Sequence, residues 1–85
     1  MPQVTIYTTS TCPYCVRARN LLDKKGVSYT EIRVDEKPEL RPEMERLSGR
    51  SSVPQIFIDE FHVGGFDDMA ELDIDGELNQ RLGLA

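Results

Sequence analysis

Between Gln3 and Thr8 the chain reads QVTIYT, with Val4, Ile6 and Thr8 on one side and Thr5 and Tyr7 on the other. This two-residue alternation of β-branched and aromatic types predicts a first strand. Thr9, Ser10 and Thr11 make a short polar loop. Beyond it Tyr14, Ala18, Leu21, Leu22 and Lys25 recur at helical spacing, with Arg17, Asn20, Asp23 and Lys24 on the other face, so a helix follows. Gly26 ends that helix in the left-handed conformation. Ser28 to Val34, SYTEIRV, predicts a second strand, and a strand–helix–strand unit of this length implies a parallel pair with a right-handed crossover.

Pro38 and Pro42 crowd the next segment. Proline suits the first turn of a helix and breaks its interior, so the second helix is expected to begin near Pro38 or shortly after. Leu40, Met44 and Leu47 mark its buried stripe and Gly49 its end. Gln55 to Ile58 is a compact apolar strand, Asp59 and Glu60 a turn, and Phe61 to Val63 a fourth strand that completes a hairpin. Gly64 and Gly65 punctuate it. Asp67 and Asp68 are expected to cap a helix carrying Met69, Ala70 and Leu72, with Glu71 three residues beyond Asp68 in the manner of a capping box. A last short helix holds Leu78 and Leu82 before Gly83. No repeat, linker or low-complexity tract interrupts this order.

With 85 residues, 39% apolar and 29% charged, the chain can fill one core and not two. Residues 1–85 are expected to form a single α/β domain. Glycine and proline number only six and five, which argues against disorder. No run approaches the roughly 18 consecutive apolar residues of a membrane span. Met1 to Thr8 lacks the basic region and small-residue cleavage site of a secretory signal, so a cytoplasmic chain is expected. The net charge of −5 speaks against a phosphate-binding surface for nucleic acid. Its distribution is more informative: residues 1 to 34 carry Arg17, Arg19, Lys24, Lys25 and Arg33 against Asp23 and Glu31, leaving −8 for the rest. Both cysteines sit in the positive segment.

Cys12-Pro13-Tyr14-Cys15 falls at the junction between the first strand and the first helix. With Cys12 as N-cap and Pro13 in the first helical position, the missing proline N–H removes no bond. The N–H groups of Tyr14 and Cys15 then aim at the Cys12 sulfur and, with the helix dipole and nearby Arg17 and Arg19, favour negative charge on it. Cys12 is the expected nucleophile. Cys15, one turn in, is the more buried sulfur, placed to resolve a mixed disulfide by intramolecular attack. A bridge closing so small a loop restrains little of the unfolded chain, so a structural staple is not expected. A zinc half-site, a buried thiol pair or chance are the other readings. Zinc needs four ligands, and beyond the cysteines the chain offers only His62 and carboxylates in no finger-like spacing, so no metal site is expected. A CxxC that follows a strand and opens a helix leads instead to redox chemistry.

CPYC, SVPQIFID and GGFDD, in this order, resemble the dithiol glutaredoxins, in particular their small bacterial form, over essentially the whole chain. The resemblance implies a thioredoxin-like fold, with a central four-stranded mixed sheet flanked by helices. It implies glutathione as electron donor, and reduction of glutathione mixed disulfides and protein disulfides through Cys12 and Cys15. The partners it implies are glutathione and glutathionylated or disulfide-containing proteins, met by a monomer.

The same resemblance implies a cis peptide before Pro54, which brings the Val53 backbone alongside the cysteines to pair with the cysteinyl part of glutathione as an extra strand rung. Read without it, Pro54 only starts the third strand. The resemblance also places the γ-glutamyl end of glutathione on Gly65, Phe66, Asp67 and Asp68. There backbone N–H groups at a helix start can receive a carboxylate, and an Asp side chain an ammonium. Ordinary helix capping is the other reading of the two aspartates. Arg41 is implied for the glycyl carboxylate, or is a solvated helix charge. Tyr14 packs against the bound tripeptide, or is an exposed linker residue. Two positions depart from the family pattern: Thr9 stands where a lysine is common, and Phe66 where Cys or Ser often follows the glycine pair. His62, between Phe61 and Val63, reads as a half-exposed structural residue.

A thioredoxin-like reductase shares the CxxC position but typically has a Gly-Pro linker and a flanking tryptophan, and this chain has no Trp. An alternative from another class is an iron–sulfur carrier, holding one cluster in a dimer through Cys12 and glutathione. Members with that role usually have a monothiol site or a linker without proline, and Pro13 and Cys15 weigh against it.

Overall fold

The computed structural model describes residues 2–84. Val4–Thr8 forms β1, as its alternation requires, and α1 spans Pro13–Lys24. Then follow β2 (Thr30–Arg33), a 3-10 turn at Pro38–Leu40, α2 (Arg41–Ser48), β3 (Gln55–Ile58), β4 (Phe61–Gly64), α3 (Phe66–Ile74) and α4 (Glu77–Arg81). The sheet order is β2-β1-β3-β4: β1 pairs in parallel with β2 and antiparallel with β3, and β3 antiparallel with β4. The parallel pair across α1 is the crossover expected from the sequence.

This mixed order fixes where the functional loops meet. Because β3 runs against β1, the end of β1 stands beside the start of β3, with Tyr7 opposite Gln55. β4 then runs back, so that its last residue, Gly64, lies opposite Ile56. The loop after β1, the loop before β3 and the start of α3 therefore converge at one end of the sheet. The other end is closed by a clasp: the Gln3 N–H donates to Asp59 Oδ1 at 2.9 Å and the Asp59 N–H to the Gln3 carbonyl at 2.7 Å. Asp59 makes the hairpin turn with φ at +52°.

On one face of the sheet Val4, Ile6, Ile56, Ile58 and Val63 pack against Ala18 and Leu22 of α1, Met69 of α3, and Leu78 and Leu82 at the C-terminal end. Ile6, Leu22, Ile56, Met69 and Leu78 are fully buried, and each such side chain stabilises by about 1.5–3 kcal/mol relative to exposure. The opposite face has a smaller cluster in which Met44 of α2 meets Tyr7, Val34 and Phe57. Tyr7 and Phe57 stack edge to face with ring centroids 5.9 Å apart.

Four expectations need correction. β2 begins at Thr30 rather than Ser28, and Val34 lies just past its end, buried, with its N–H on the Thr8 carbonyl at 2.9 Å. Tyr14 belongs to the helical repeat of α1 but is 51% exposed, because it sits on the first turn, beyond the end of the sheet that the rest of the stripe covers. Leu47 is 46% exposed: α2 has only eight residues, and Met44 alone fills the core beneath it. The cap of α3 is shifted toward the N-terminus. Gly65 is the N-cap and Asp68, at the third helical position, returns its carboxylate to the Gly65 N–H at 2.9 Å, so Asp68 completes the box expected of Glu71.

Candidate active site

β1 delivers the chain to Cys12, which takes the extended N-cap conformation, with Pro13 at the helix start. The Cys15 N–H donates to the Cys12 sulfur at 3.1 Å, the bond expected of an N-cap side chain. Of the two N–H groups expected to aim at that sulfur, Cys15 supplies this bond. Both cysteines are free thiols. Cys12 is half-buried whereas Cys15 has no exposed surface. Burial, then the hydrogen bond with Cys12, pushes the Cys15 thiol up to about 12, only partly opposed by a hydrogen bond from Thr9. The pair is therefore asymmetric, with one accessible sulfur and one sequestered, protonated thiol behind it.

The loop before β3 comes to the same place. The Val53–Pro54 peptide is cis, as implied by the resemblance, and the Cys12 thiol donates to the Val53 carbonyl at 3.6 Å. A groove opens from here, walled by Tyr14 on one side and by Ser52, Val53 and Pro54 on another. Gly65, Phe66, Asp67 and Asp68 at the start of α3 form its far wall, and Arg50 completes it. The Tyr14 and Phe66 rings face each other at 6.4 Å. Arg50 bridges to Asp68 at 3.0 Å. The Gly65 N–H first, and the Arg50 guanidinium second, hold the Asp68 carboxyl below the usual carboxylate range.

Charges around the cysteines are arranged differently from the sequence expectation. Arg19 is committed to Glu31 at 2.7 Å, and the same carboxylate oxygen accepts from the buried Thr8 hydroxyl at 2.7 Å. Arg17 lies over the Tyr14 ring, 5.2 Å from its centroid, a cation–π contact that orients the wall of the groove. The active-site loop is tethered from the other side, where both the N–H (3.0 Å) and the hydroxyl (2.6 Å) of Ser10 donate to Asp35. These bonds hold the exposed Asp35 carboxyl down at about 2.

A family model described as Glutaredoxin matches residues 4–63, a span that holds both cysteines and Pro54. The chain belongs to the glutaredoxin family. It is 55% identical over 82 residues to a glutaredoxin of Pseudomonas aeruginosa, covering 96% of this chain and 98% of that one. It is 52% identical over 82 residues to glutaredoxin 3 of Escherichia coli K12, covering 96% and 99%. Among solved structures, the solution structure of glutaredoxin from Brucella melitensis superposes with a TM-score of 0.85 at 49% identity, covering 99% of this chain and 91% of that one. A crystal structure of a buckwheat glutaredoxin–glutathione complex superposes at 0.88 with 28% identity, covering 96% and 77%. The fold is thioredoxin-like, as these neighbours are, and the protein is a thiol–disulfide oxidoreductase of the small bacterial glutaredoxin type.

Of the eight residues that the resemblance implies for the glutathione site, Tyr14, Arg41, Val53, Pro54, Gly65, Phe66, Asp67 and Asp68, all but Arg41 line this glutaredoxin's groove. Arg41 stands aside, its guanidinium donating to the Ser51 carbonyl at 2.8 Å. The groove cation is Arg50, which sequence reasoning missed. A signal was present: Arg50 follows the helix-ending Gly49, whose φ is +71°, and a chain turning there toward Pro54 carries its next side chain past the site. His62 is structural, as expected. It is stacked on Phe57 and pushed down by burial and by the Arg50 charge.

Proposed function

We propose that this protein uses glutathione to reduce glutathione mixed disulfides and protein disulfides, with Cys12 as nucleophile and Cys15 as resolving thiol. The observation that carries this reading is the asymmetric cysteine pair set beside a groove with charges of both signs and joined to it at the Val53 carbonyl. In the first step the Cys12 sulfur, as thiolate, attacks the glutathionyl sulfur of a mixed disulfide. A bond forms between those sulfurs, the old disulfide bond breaks, and the substrate leaves as a thiolate that takes up a proton. A second glutathione thiolate attacks the same glutathionyl sulfur, releasing glutathione disulfide and returning Cys12. On a protein disulfide the substrate stays bonded to Cys12 until Cys15 loses its proton and attacks the Cys12 sulfur. The substrate leaves as a thiolate that takes up a proton and a Cys12–Cys15 bridge closes, which two glutathione molecules then reduce, becoming glutathione disulfide.

The groove residues have matching chemistry for the tripeptide. Asp68 can take the γ-glutamyl ammonium, and the start of α3 at Phe66 and Asp67 its carboxylate. Val53 offers backbone groups to the cysteinyl part, and Tyr14 and Phe66 flank it. Arg50, as the cation lining the groove, is assigned the glycyl carboxylate, and Arg41 a supporting place behind the loop. The reading includes a monomer in a reducing, cytoplasmic setting.

A coupled assay that follows glutathione reductase turnover on a glutathionylated peptide tests it. Saturable glutathione-dependent turnover, lost in Cys12→Ser, is the expected result. Turnover supported equally by a thiol lacking the γ-glutamyl and glycyl groups would overturn glutathione dependence.

A further inference from the structure

Gln55 has no exposed surface, and with Thr8 it is one of two buried polar side chains among the described residues. Nothing in the thiol chemistry uses it. Its amide is nevertheless occupied at both ends. Nε2 donates to the Ser52 carbonyl at 2.9 Å and reaches the Ser52 hydroxyl at 3.3 Å, while Oε1 faces His62 Nε2 at 2.7 Å. A carbonyl can only accept, so the Ser52 contact fixes which end of the amide is nitrogen. The oxygen is thereby turned to His62, whose Nε2 must carry the proton. The imidazole is held in place by Phe57, stacked with centroids 4.9 Å apart, and Phe57 in turn packs edge-on against Tyr7.

The chain of bonds ends at the groove. Ser52 immediately precedes Val53, whose carbonyl stands 3.6 Å from the Cys12 sulfur. A second side chain steadies the same loop from the other side, because Arg41 holds the Ser51 carbonyl. Two consecutive carbonyls are thus tied to the body of the protein, one through α2 and one through β3, just before the backbone reaches the cysteines.

We infer that Gln55, backed by His62 and assisted by Arg41, is a positioning residue that sets the Ser52–Val53 backbone at the angle needed to receive the substrate. Gln55 touches neither sulfur and transfers no proton. The single Nε2 proton of His62 is committed to the amide oxygen, so His62 orients Gln55 and is not a base. This inference rests on the glutathione reading above and names what aligns that site.

The test uses Gln55→Leu, which removes the bonds to Ser52 and the one to His62, and His62→Phe, which keeps a ring on Phe57 and removes only the bond to Gln55. Backbone 15N order parameters of Ser52 and Val53, measured by NMR in the reduced, ligand-free protein, are the readout that does not depend on glutathione. Both order parameters are expected to fall in Gln55→Leu, to below about 0.6, and by a smaller amount in His62→Phe, with those of β1 and α1 unchanged. The KM for glutathione is expected to rise about tenfold in Gln55→Leu with kcat within twofold. Unaltered order parameters at Ser52 and Val53 overturn the inference, as do lowered ones with an unaltered KM. A wild-type chain indifferent to glutathione overturns the functional reading instead, before any variant is made. Should Gln55→Leu fail to fold, His62→Phe carries the same comparison.

Discussion

The Arg50 guanidinium lies 3.0 Å from the Asp68 carboxylate, so two charged side chains of the groove neutralise each other across it. They are 49% and 42% exposed, and a pair of this kind contributes only about 0–1 kcal/mol to stability. Little opposes their separation. A ligand with an ammonium at one end and a carboxylate at the other can engage each in turn, replacing one weak exposed pair by two ligand contacts.

Arg50→Ala is therefore expected to leave the urea midpoint almost unmoved, a change below about 1 kcal/mol. The same variant should raise the KM for glutathione roughly five- to thirtyfold, the equivalent of about 1–2 kcal/mol for a lost charge-assisted hydrogen bond. An unaltered KM would remove Arg50 from the binding groove.

Gly64 couples stability and binding more tightly. Its φ is +114°, and an added Cβ there would run into the Asp68 carboxylate. Gly64→Ala should lose roughly 2 kcal/mol or more, from strain in a backbone region that side chains avoid and from displacement of the α3 cap. Its KM for glutathione should rise too, because the same carboxylate moves. Thermal unfolding and steady-state kinetics on one preparation check both halves.

The two cysteines should separate by substrate. Cys15→Ser is expected to keep much of its activity on glutathionylated peptides, where Cys12 and a second glutathione suffice. It should lose most activity on protein disulfides, which escape fastest when a neighbouring thiol attacks at high effective concentration. Cys12→Ser should lose both. Both activities surviving without Cys12, or both vanishing in a folded Cys15→Ser, would reject these roles.

Since the Cys15 thiol is pushed up to about 12, iodoacetamide should label one sulfur per folded chain, Cys12, up to at least about pH 9, and a second only on unfolding. Linkage gives this burial a sign. A thiol whose folded value lies above the unfolded one, near about 8.5, stabilises the fold fully below that pH. The contribution drains away as pH rises toward 12. Urea midpoints should fall faster between about pH 8.5 and 11 in the parent than in Cys15→Ala, and parallel curves would contradict it.

The sequence carried the sheet and the sulfurs well because both rest on local rules. Alternation in QVTIYT specifies β1, and proline after a capping cysteine specifies the start of α1, whatever the rest of the chain does. It carried the groove's polar partners less well, since these depend on how distant segments meet. Arg41 and Arg50 are both plausible cations on or just after one short helix, and only the path of the chain after Gly49 decides which faces Asp68. Gln55 gave no warning either. A glutamine opening an apolar strand looks like a solvent-facing residue until β4 brings His62 to cover it. The cap of α3 slipped for a related reason: Gly65 carries no side chain to announce an N-cap, so the eye falls on the aspartates that follow.

The clasp between Gln3 and Asp59 closes the pole of the sheet opposite the sulfurs. That polarity makes the molecule suited to end-on attachment. A surface linker, a dye or a host protein joined through the Asp59–Glu60 turn would hang from the far side of the sheet, with the whole strand length between graft and groove. Cys12 would still face outward, so an immobilised array of such molecules would present its reactive thiols toward the medium.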